Sequence, residues 1–163
     1  MPERTPLSLK GVMMLTAASR ANSETMAQPN VPTPLVLVVD DHADTRTMLS
    51  YVIEMNGYRV VEAADGENAV RLAESMLPNL ILMDTNLPGV DGLMATERIR
   101  KLDGIREVKI VFLSGHAEPQ ARVQAMEAGA DDYLVKPIDL SAFTVTLEKY
   151  LAISNSQPVP PTE

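Results

Sequence analysis

Apolar and polar positions follow one another along the chain in blocks that fit a repeated strand and helix pattern. Short apolar runs, each closed by acidic, polar or turn residues, are typical of strands buried on both faces of a parallel sheet. Longer segments with apolar residues at helical spacing separate these runs. The predicted strands are Leu35–Val39, Tyr58–Ala63, a run from Leu80 that ends at Asp84, Val108–Leu113 and Tyr133–Val135.

Capping and turn residues predict where the intervening helices begin and end. Asp44 is expected to cap the first helix, and Asn56-Gly57 ends it. Asp65-Gly66 is interpreted as a turn before the second helix, which Pro78 stops. The predicted helices run from the Asp44 cap to Met55, from Glu67 to Met76, from about Leu93 to Leu102, from Pro119 to Ala128 and from about Leu140 to Leu151. Five alternations of strand and helix predict an α/β fold, with helices on both faces of a parallel sheet.

The two ends of the chain differ from this pattern. Residues 1–34 hold five prolines among scattered polar residues, which predicts a disordered extension, with Met26 as an alternative start. The stretch GVMMLTAASRA has a faint likeness to a secretory leader, although its apolar part is short and interrupted. Residues 153–163 form a polar, proline-rich tail that is also expected to be disordered. One domain is therefore predicted over residues 35–152, and with so few residues after it no output module is expected.

Composition excludes several classes of protein. The chain has no cysteine, which excludes disulfides, thiolate metal sites and thiol nucleophiles and is compatible with a reducing cytoplasm. No apolar run approaches the length that a membrane span needs. The net charge of −8 argues against non-specific nucleic-acid binding, which requires a basic surface. All of that charge lies between Leu35 and Ala152, where 11 Lys and Arg residues stand against 19 Asp and Glu residues.

Polar side chains follow four of the five predicted strands, at the edge where the carboxyl ends of parallel strands meet. Asp40 and Asp41 follow the first strand, Asp84 ends the third, Ser114 follows the fourth and Lys136 the fifth. Converging carboxylates repel one another, so such a site must protonate an acid or bind a cation. Oxygen ligands suit a hard ion such as Mg²⁺.

The same residues could carry out phosphoryl transfer. A carboxylate such as that of Asp84 is a competent nucleophile toward phosphorus. The hydroxyl of Ser114 and the ammonium of Lys136 are donors that an incoming phosphoryl group would need. Each residue alone has an ordinary interpretation as a turn, a cap, a loop or a solvated lysine, and only their convergence indicates a site. His42 and His116 do not lie at a ligand spacing from each other and are interpreted as ordinary surface residues.

Four segments resemble, in order and spacing, the receiver domain of two-component response regulators, across roughly Leu35 to Leu151. They are VLVVDD, LILMDTNLPGVDG, VFLSG and AGADDYLVKP. The resemblance implies a flavodoxin-like (βα)5 fold, a doubly wound sheet of five parallel strands in the order 2-1-3-4-5. It also implies a signalling phosphoacceptor rather than an enzyme, here of the stand-alone, single-domain type.

The resemblance assigns roles to the residues at the sheet edge. Asp84 would accept phosphate from a phosphohistidine on a sensor histidine kinase or a histidine phosphotransfer protein. Asp41 would hold Mg²⁺ (or Mn²⁺) directly, together with Asp84 and the backbone carbonyl of Asn86, and Asp40 would act mainly through water. Asn86 and His116 also occupy two variable positions that in this family tune dephosphorylation, in a direction that the sequence alone does not give.

The remaining roles concern recognition of the phosphoryl group and the response to it. Ser114, which replaces the commoner Thr, would bond one phosphoryl oxygen, and Lys136 would pair with another after a cis peptide at Pro137. Tyr133 matches the family's switch aromatic, whose ring would turn inward on phosphorylation; the alternative is a tyrosine at a strand edge with a solvated hydroxyl. The fourth helix, fifth strand and fifth helix, about Glu118 to Leu151, would present the changed state to a downstream protein partner or serve onward phosphorelay.

Two other functions compete with this prediction. An aspartyl-phosphate hydrolase of the haloacid dehalogenase type also attacks with an Asp after a strand, but it places a second Asp two residues later, where this chain has Asn86. A degenerate receiver could act as an interaction module that needs no phosphorylation. Such domains usually lose the acceptor, an acid or the lysine, and this chain keeps Asp84, Asp41 and Lys136.

Overall fold

The computed structural model describes residues 32–152. The predicted disordered tail at 153–163, the leader-like stretch at 11–21, the alternative start at Met26 and all but the last three residues of the predicted extension lie outside the described residues. Strands and helices alternate throughout the described part of the chain. They are β1 Leu35–Val39, α1 Ala43–Met55, β2 Arg59–Ala63, α2 Gly66–Met76, β3 Leu80–Asp84, α3 Gly92–Arg100, β4 Lys109–Ser114, α4 Pro119–Ala128, β5 Asp132–Val135 and α5 Leu140–Leu151.

The strands form one five-stranded sheet in the order β2-β1-β3-β4-β5, and each neighbouring pair is parallel. This is the doubly wound, flavodoxin-like topology that the sequence predicts, and the prediction is confirmed. The strand order reverses between β1 and β3, because the connections that leave these two strands cross opposite faces of the sheet. A cleft therefore opens beyond the carboxyl ends of these central strands, which is where ligands bind in sheets of this kind.

Both faces of the sheet are covered by helices, so the core has two layers. On one face, alternate side chains of the strands pack against Leu49 and Ile53 of α1 and against Phe143 and Leu147 of α5. On the other face they pack against α2, α3 and α4, mostly through small residues and Ile99. The central strands β1 and β3 are buried along their whole length, which explains their unbroken apolar runs. No helix in residues 32–152 is long and apolar enough to cross a membrane.

The start of α1 differs from the prediction. The helix begins at Ala43 with His42 at its N-cap position, so Asp44 lies in the first turn and the prediction that it caps the helix is wrong. The cause is Asp40, whose Oδ1 accepts the backbone N–H of His42 at 2.8 Å and turns the chain into the helix early. Asp44 still stabilises the positive end of the helix dipole. Asp65, predicted only as part of a turn, caps α2, because its carboxylate accepts the backbone N–H of Asn68 at 2.7 Å.

Arg100, at the end of α3, connects three parts of the chain below the cleft. Its guanidinium donates to the backbone carbonyls of Gly129, Arg106 and Val108 and pairs with Asp131 at 2.9 Å. The carboxylate of Asp131 in turn accepts the backbone N–H of Ile110 in β4. A planar, permanently charged donor can serve several acceptors at once, which a lysine could not do in this geometry. These bonds tie α3, β4 and the α4–β5 connection together.

Candidate functional site

Three carboxylates and one imidazole converge at the carboxyl ends of β1 and β3. Asp40 directly follows β1 and is fully buried, and Asp84 ends β3 with 3% of its surface exposed. One ligand atom from each of Asp40, Asp41, His42 and Asp84 lies within 4.8 Å of the others. The structure therefore brings together the three acids that the sequence predicts to converge.

The ring of His42 also reaches this cluster, which the sequence interpretation of an ordinary surface residue missed. Its Nδ1 lies 2.7 Å from Asp41 Oδ1 and 3.4 Å from Asp40 Oδ1, while the side chain remains 72% exposed. The signal available in the sequence was its position directly after the acid pair. Its contact with Asp41 orients that carboxylate at the mouth of the cleft.

Lys136 is the cation of the cleft. Its Nζ lies 2.6 Å from Asp40 Oδ2 and 3.4 Å from Asp84 Oδ2. Burial opposes the charged form of the ammonium, but the hydrogen bond from Lys136 to Asp40 and the charges of both carboxylates prevail and raise its pKa. The backbone N–H of Lys136 donates to the carbonyl of Ser114 at 2.7 Å, and the peptide bond to Pro137 is cis. The lysine is therefore charged and shared between the two buried acids.

Asp84 carries a charge that its surroundings disfavour. Burial raises the pKa of this carboxyl, and the neighbouring charge of Asp40 raises it further; Lys136 and the backbone N–H of Asn86 act in the opposite direction without cancelling the rise. Three carboxylates with one ammonium leave the cluster of Asp40, Asp41 and Asp84 with excess negative charge. Oxygen donors in excess over fixed cations are the ligand set that suits a hard divalent ion, so these residues fit Mg²⁺.

Ser114 ends β4 and is fully buried beside β3. Its Oγ accepts the backbone N–H of His116 at 3.1 Å and the hydroxyl of Thr85 at 3.0 Å. Thr85 is a second residue that the sequence interpretation missed. The sheet register would have indicated it, because Asp84 pairs with Leu113 and the next two positions, Thr85 and Ser114, therefore lie side by side.

An open cavity of about 550 Å³ lies beyond the carboxyl end of β3, on the side of α3 and α4. Asn86 and His116, the two positions predicted to tune dephosphorylation, both line it, together with Asp41 and Ser114. Asn86 and His116 therefore face a space that water can enter. Their tuning role stays a prediction.

Tyr133 lies inward on β5, with only 5% of its surface exposed. Its hydroxyl donates to the backbone carbonyl of His116 at 2.7 Å. The alternative of a solvated hydroxyl at a strand edge is therefore wrong. Because the N–H of His116 bonds Ser114 and its carbonyl bonds Tyr133, a single residue connects the two side chains that the sequence links to switching. The switching role itself stays a prediction.

The face formed by α4, β5 and α5 carries a cluster of charged and polar groups around Asp132. This carboxylate accepts from Lys149 Nζ at 3.0 Å and from the hydroxyl of Tyr150 at 3.0 Å, and Arg122 of α4 lies 4.0 Å away. Burial opposes the ionised form, but the bonds from Lys149, the backbone N–H of Tyr133 and Tyr150 together lower the pKa of Asp132. The cluster joins β5 to α5 on the face predicted to contact a partner.

Asp132 is expected to make the stability of the domain depend on pH in acid. Its folded pKa lies below the ordinary value of 3.8, so its stabilising contribution is complete above 3.8 and is lost as the pH falls through the folded pKa. Urea unfolding of the wild type and of Asp132→Asn across the acid range measures this. The stability advantage of the wild type should be constant near neutrality and shrink below 3.8. An advantage that is independent of pH would contradict the assigned interactions.

Comparison with known proteins gives one family. The family model described as "Response regulator receiver domain" matches residues 36–148. The phosphate regulon transcriptional regulatory protein PhoB of Escherichia coli K12 is 39% identical over 102 residues, 63% of this chain and 44% of that protein. The transcriptional regulatory protein PrrA of Mycobacterium tuberculosis is 37% identical over 121 residues, 74% of this chain and 51% of that protein. The chain thus spans about half the length of the curated relatives it matches.

Solved structures agree with the topology. The receiver domain of sensor histidine kinase PA1611 from Pseudomonas aeruginosa PAO1, with a magnesium ion coordinated in its active site cleft, aligns with a TM-score of 0.69 at 35% identity and covers 74% of this chain and 99% of that one. Chemotaxis protein CheY4 of Vibrio cholerae aligns with a TM-score of 0.70 at 29% identity and covers 74% of this chain and all of that one. The region that the family model matches, residues 36–148, contains Asp40, Asp41, Asp84, Ser114 and Lys136.

Proposed function

This chain belongs to the response regulator receiver domain family, and from that membership we propose that it is a phosphoacceptor whose reactive group is the carboxylate of Asp84. The observation that carries the proposal is the convergence, at one edge of the sheet, of a buried acceptor acid, two further acids and a charged lysine shared between Asp84 and Asp40. Receiver domains interact with histidine kinases, so the proposed donor is a phosphohistidine on a sensor kinase or a phosphotransfer protein.

In the proposed step, an oxygen of Asp84 attacks the phosphorus of the phosphohistidine. The new bond joins that oxygen to phosphorus as the bond to the imidazole nitrogen breaks, and the leaving imidazole takes up a proton from water. Lys136, already 3.4 Å from Asp84, pairs with one phosphoryl oxygen, and the Ser114 hydroxyl donates to another. Mg²⁺ or Mn²⁺ held by Asp40, Asp41, Asp84 and the carbonyl of Asn86 would neutralise charge on the phosphoryl oxygens.

The proposed response follows from the change in charge. Phosphorylation replaces one carboxylate with a dianion, to which Ser114 and Lys136 are drawn. Ser114 is bonded to His116, which also holds the Tyr133 hydroxyl, so movement of the serine alters the support of that ring. We propose that the face of α4, β5 and α5 transmits this change to a protein partner or serves onward phosphorelay, and that Asn86 and His116 set how fast water removes the phosphate.

The curated relatives are transcriptional regulatory proteins, and each is about twice as long as the matched part of this chain. Action as a stand-alone receiver in the cytoplasm therefore stays a prediction for the whole protein. Direct nucleic-acid binding is not proposed for the receiver itself, because its net charge of −8 would repel phosphates.

The proposal is tested by the intact mass of the wild-type protein after incubation with Mg²⁺ and acetyl phosphate, a small donor that needs no partner surface. We expect one phosphoryl group to be added to the protein. When Mg²⁺ is chelated before the incubation, we expect no phosphoryl group to be added. A fast hydrolysis rate could hide the adduct, so ¹⁹F NMR with beryllofluoride, a stable phosphoryl mimic, accompanies the mass measurement. The absence of both the adduct and bound beryllofluoride would contradict the proposed function. That result would favour a receiver that acts without phosphorylation.

Replacement of Lys136 with methionine is expected to separate phosphoryl binding from metal binding. The ammonium pairs with the phosphoryl group but competes with a cation for Asp40 and Asp84, so its loss should weaken beryllofluoride binding on the order of tenfold or more while Mg²⁺ binds at least as tightly. The two affinities are measured by ¹⁹F NMR and by calorimetry. Lys109→Met, an exposed lysine paired with Asp131 away from the cleft, is the control. Equal weakening of both ligands would contradict the role assigned to Lys136.

A further inference from the structure

We propose that Thr85 is a positioning residue for phosphoryl recognition, because its hydroxyl holds Ser114 in the orientation that leaves the serine hydrogen free to be donated. The inference rests on the proposed function, since it concerns how the same site recognises a phosphoryl group. It gives a role to the hydrogen bond between Thr85 and Ser114, which involves neither Asp84 nor Lys136.

The first step is the hydrogen-bonding capacity of Ser114. A hydroxyl group has two acceptor lone pairs and one hydrogen to donate. The backbone N–H of His116 takes one lone pair at 3.1 Å, and Thr85 Oγ1 lies 3.0 Å from Ser114 Oγ, a distance at which either hydroxyl can supply the shared hydrogen. When Thr85 supplies that hydrogen, the hydrogen of Ser114 is left without an acceptor among residues 32–152, although the side chain is fully buried. A buried donor without an acceptor is costly, and an oxygen of a bound phosphoryl group would remove that cost.

Thr85 is held in a fixed position by its backbone hydrogen bonds. Its backbone N–H donates to the carbonyl of Leu113 at 3.2 Å, and its carbonyl accepts from Gly92 at 3.2 Å, so the residue is held from both sides. A β-branched side chain has few accessible χ1 rotamers. The hydroxyl of Thr85 is therefore placed next to Ser114 before any ligand arrives, and the serine does not have to be ordered when the phosphoryl group binds. Hydrogen-bond donors that are already in position stabilise negative charge better than donors that must first be ordered.

The experiment measures beryllofluoride affinity by ¹⁹F NMR at saturating Mg²⁺ for the wild type, Thr85→Val and Thr85→Ser. Valine keeps the shape of threonine and removes the hydroxyl, and we expect it to weaken beryllofluoride binding about fivefold to tenfold. Serine restores the hydroxyl and should restore most of the affinity. Mg²⁺ affinity, measured by calorimetry, should be unchanged in both variants, because Thr85 contacts none of the three acids through its side chain. Should the valine variant fail to fold, Thr85→Ala carries the same test.

A double-mutant cycle shows whether Thr85 acts through Ser114. In an Ser114→Ala background the Thr85→Val change should have no further effect on beryllofluoride binding, because the group that it positions is gone. Equal effects of Thr85→Val in both backgrounds would overturn the inference.

Two other results would also overturn it. Unchanged or tighter beryllofluoride binding by Thr85→Val would show that the threonine has no influence or holds the serine away from the ligand. Binding that serine at position 85 does not rescue would indicate a packing role only. Failure of the wild type to bind beryllofluoride is a different result, since it contradicts the proposed function itself and removes the basis of the inference with it.

Discussion

Asp84→Asn should abolish the phosphoryl adduct while leaving a folded domain that unfolds at an equal or higher temperature. An amide is a poor nucleophile toward phosphorus, so no adduct is expected at any concentration of acetyl phosphate. The stability expectation follows from the raised pKa of Asp84, because at neutral pH the folded state pays to keep this carboxyl ionised and the amide removes that cost. Lys136 keeps its closer partner, Asp40, at 2.6 Å.

The measurements are intact mass after treatment with Mg²⁺ and acetyl phosphate, and thermal unfolding in the absence of Mg²⁺. Asp103→Asn is the matched control, since its carboxyl is 96% exposed and lies in an ion pair with Arg106 outside the cleft. That variant should be phosphorylated like the wild type. An adduct of undiminished yield on Asp84→Asn would place the acceptor at another residue.

Gly92→Ala is the second change with a large expected effect, because the added methyl group would push directly on the backbone of Asp84, the proposed acceptor. A Cβ built on Gly92 would lie 2.2 Å from the carbonyl oxygen of Asp84 and 3.1 Å from the Cα of Thr85. Both contacts are with backbone that is held in the β3–β4 ladder, so relief requires the end of β3 or the start of α3 to move. We expect a loss of about 1–3 kcal/mol in the free energy of unfolding, the usual cost of overpacking a tight site.

The same displacement should also slow phosphorylation. Misplacement of reacting groups by about 1 Å can cost on the order of 100-fold in rate, and Gly92→Ala moves both Asp84 and the residue inferred to position Ser114. Urea unfolding and the initial rate of adduct formation measure the two effects. Gly115→Ala is the control for stability, since a Cβ there meets nothing within 4 Å, and it should unfold like the wild type. A Gly92→Ala domain with wild-type stability and rate would show that the backbone relaxes freely.

The sequence alone determined the architecture and the acids of the site. Strands buried on both faces need unbroken apolar runs, and the runs ending at Val39 and Met83 predict such strands directly. Parallel strands place their carboxyl ends at one edge, so the sequence predicts that Asp40, Asp41 and Asp84 lie together. These predictions succeeded because they depend on local periodicity and on a rule of topology that holds whatever the side chains do in detail.

Only the tertiary structure decided which side chains contact one another within that edge. Two of these contacts, the bond between Thr85 and Ser114 and the bond from Tyr133 to the His116 carbonyl, join residues from different strands and loops. No single segment of the sequence specifies them. The wrong prediction that Asp44 caps α1 has a local cause, because the start of the helix depends on which backbone N–H the Asp40 carboxylate accepts. A side-chain hydrogen bond depends on strand register and side-chain rotamer, which must be correct to about an ångström. The pattern of apolar residues predicts only where strands and helices lie and which of their faces are buried.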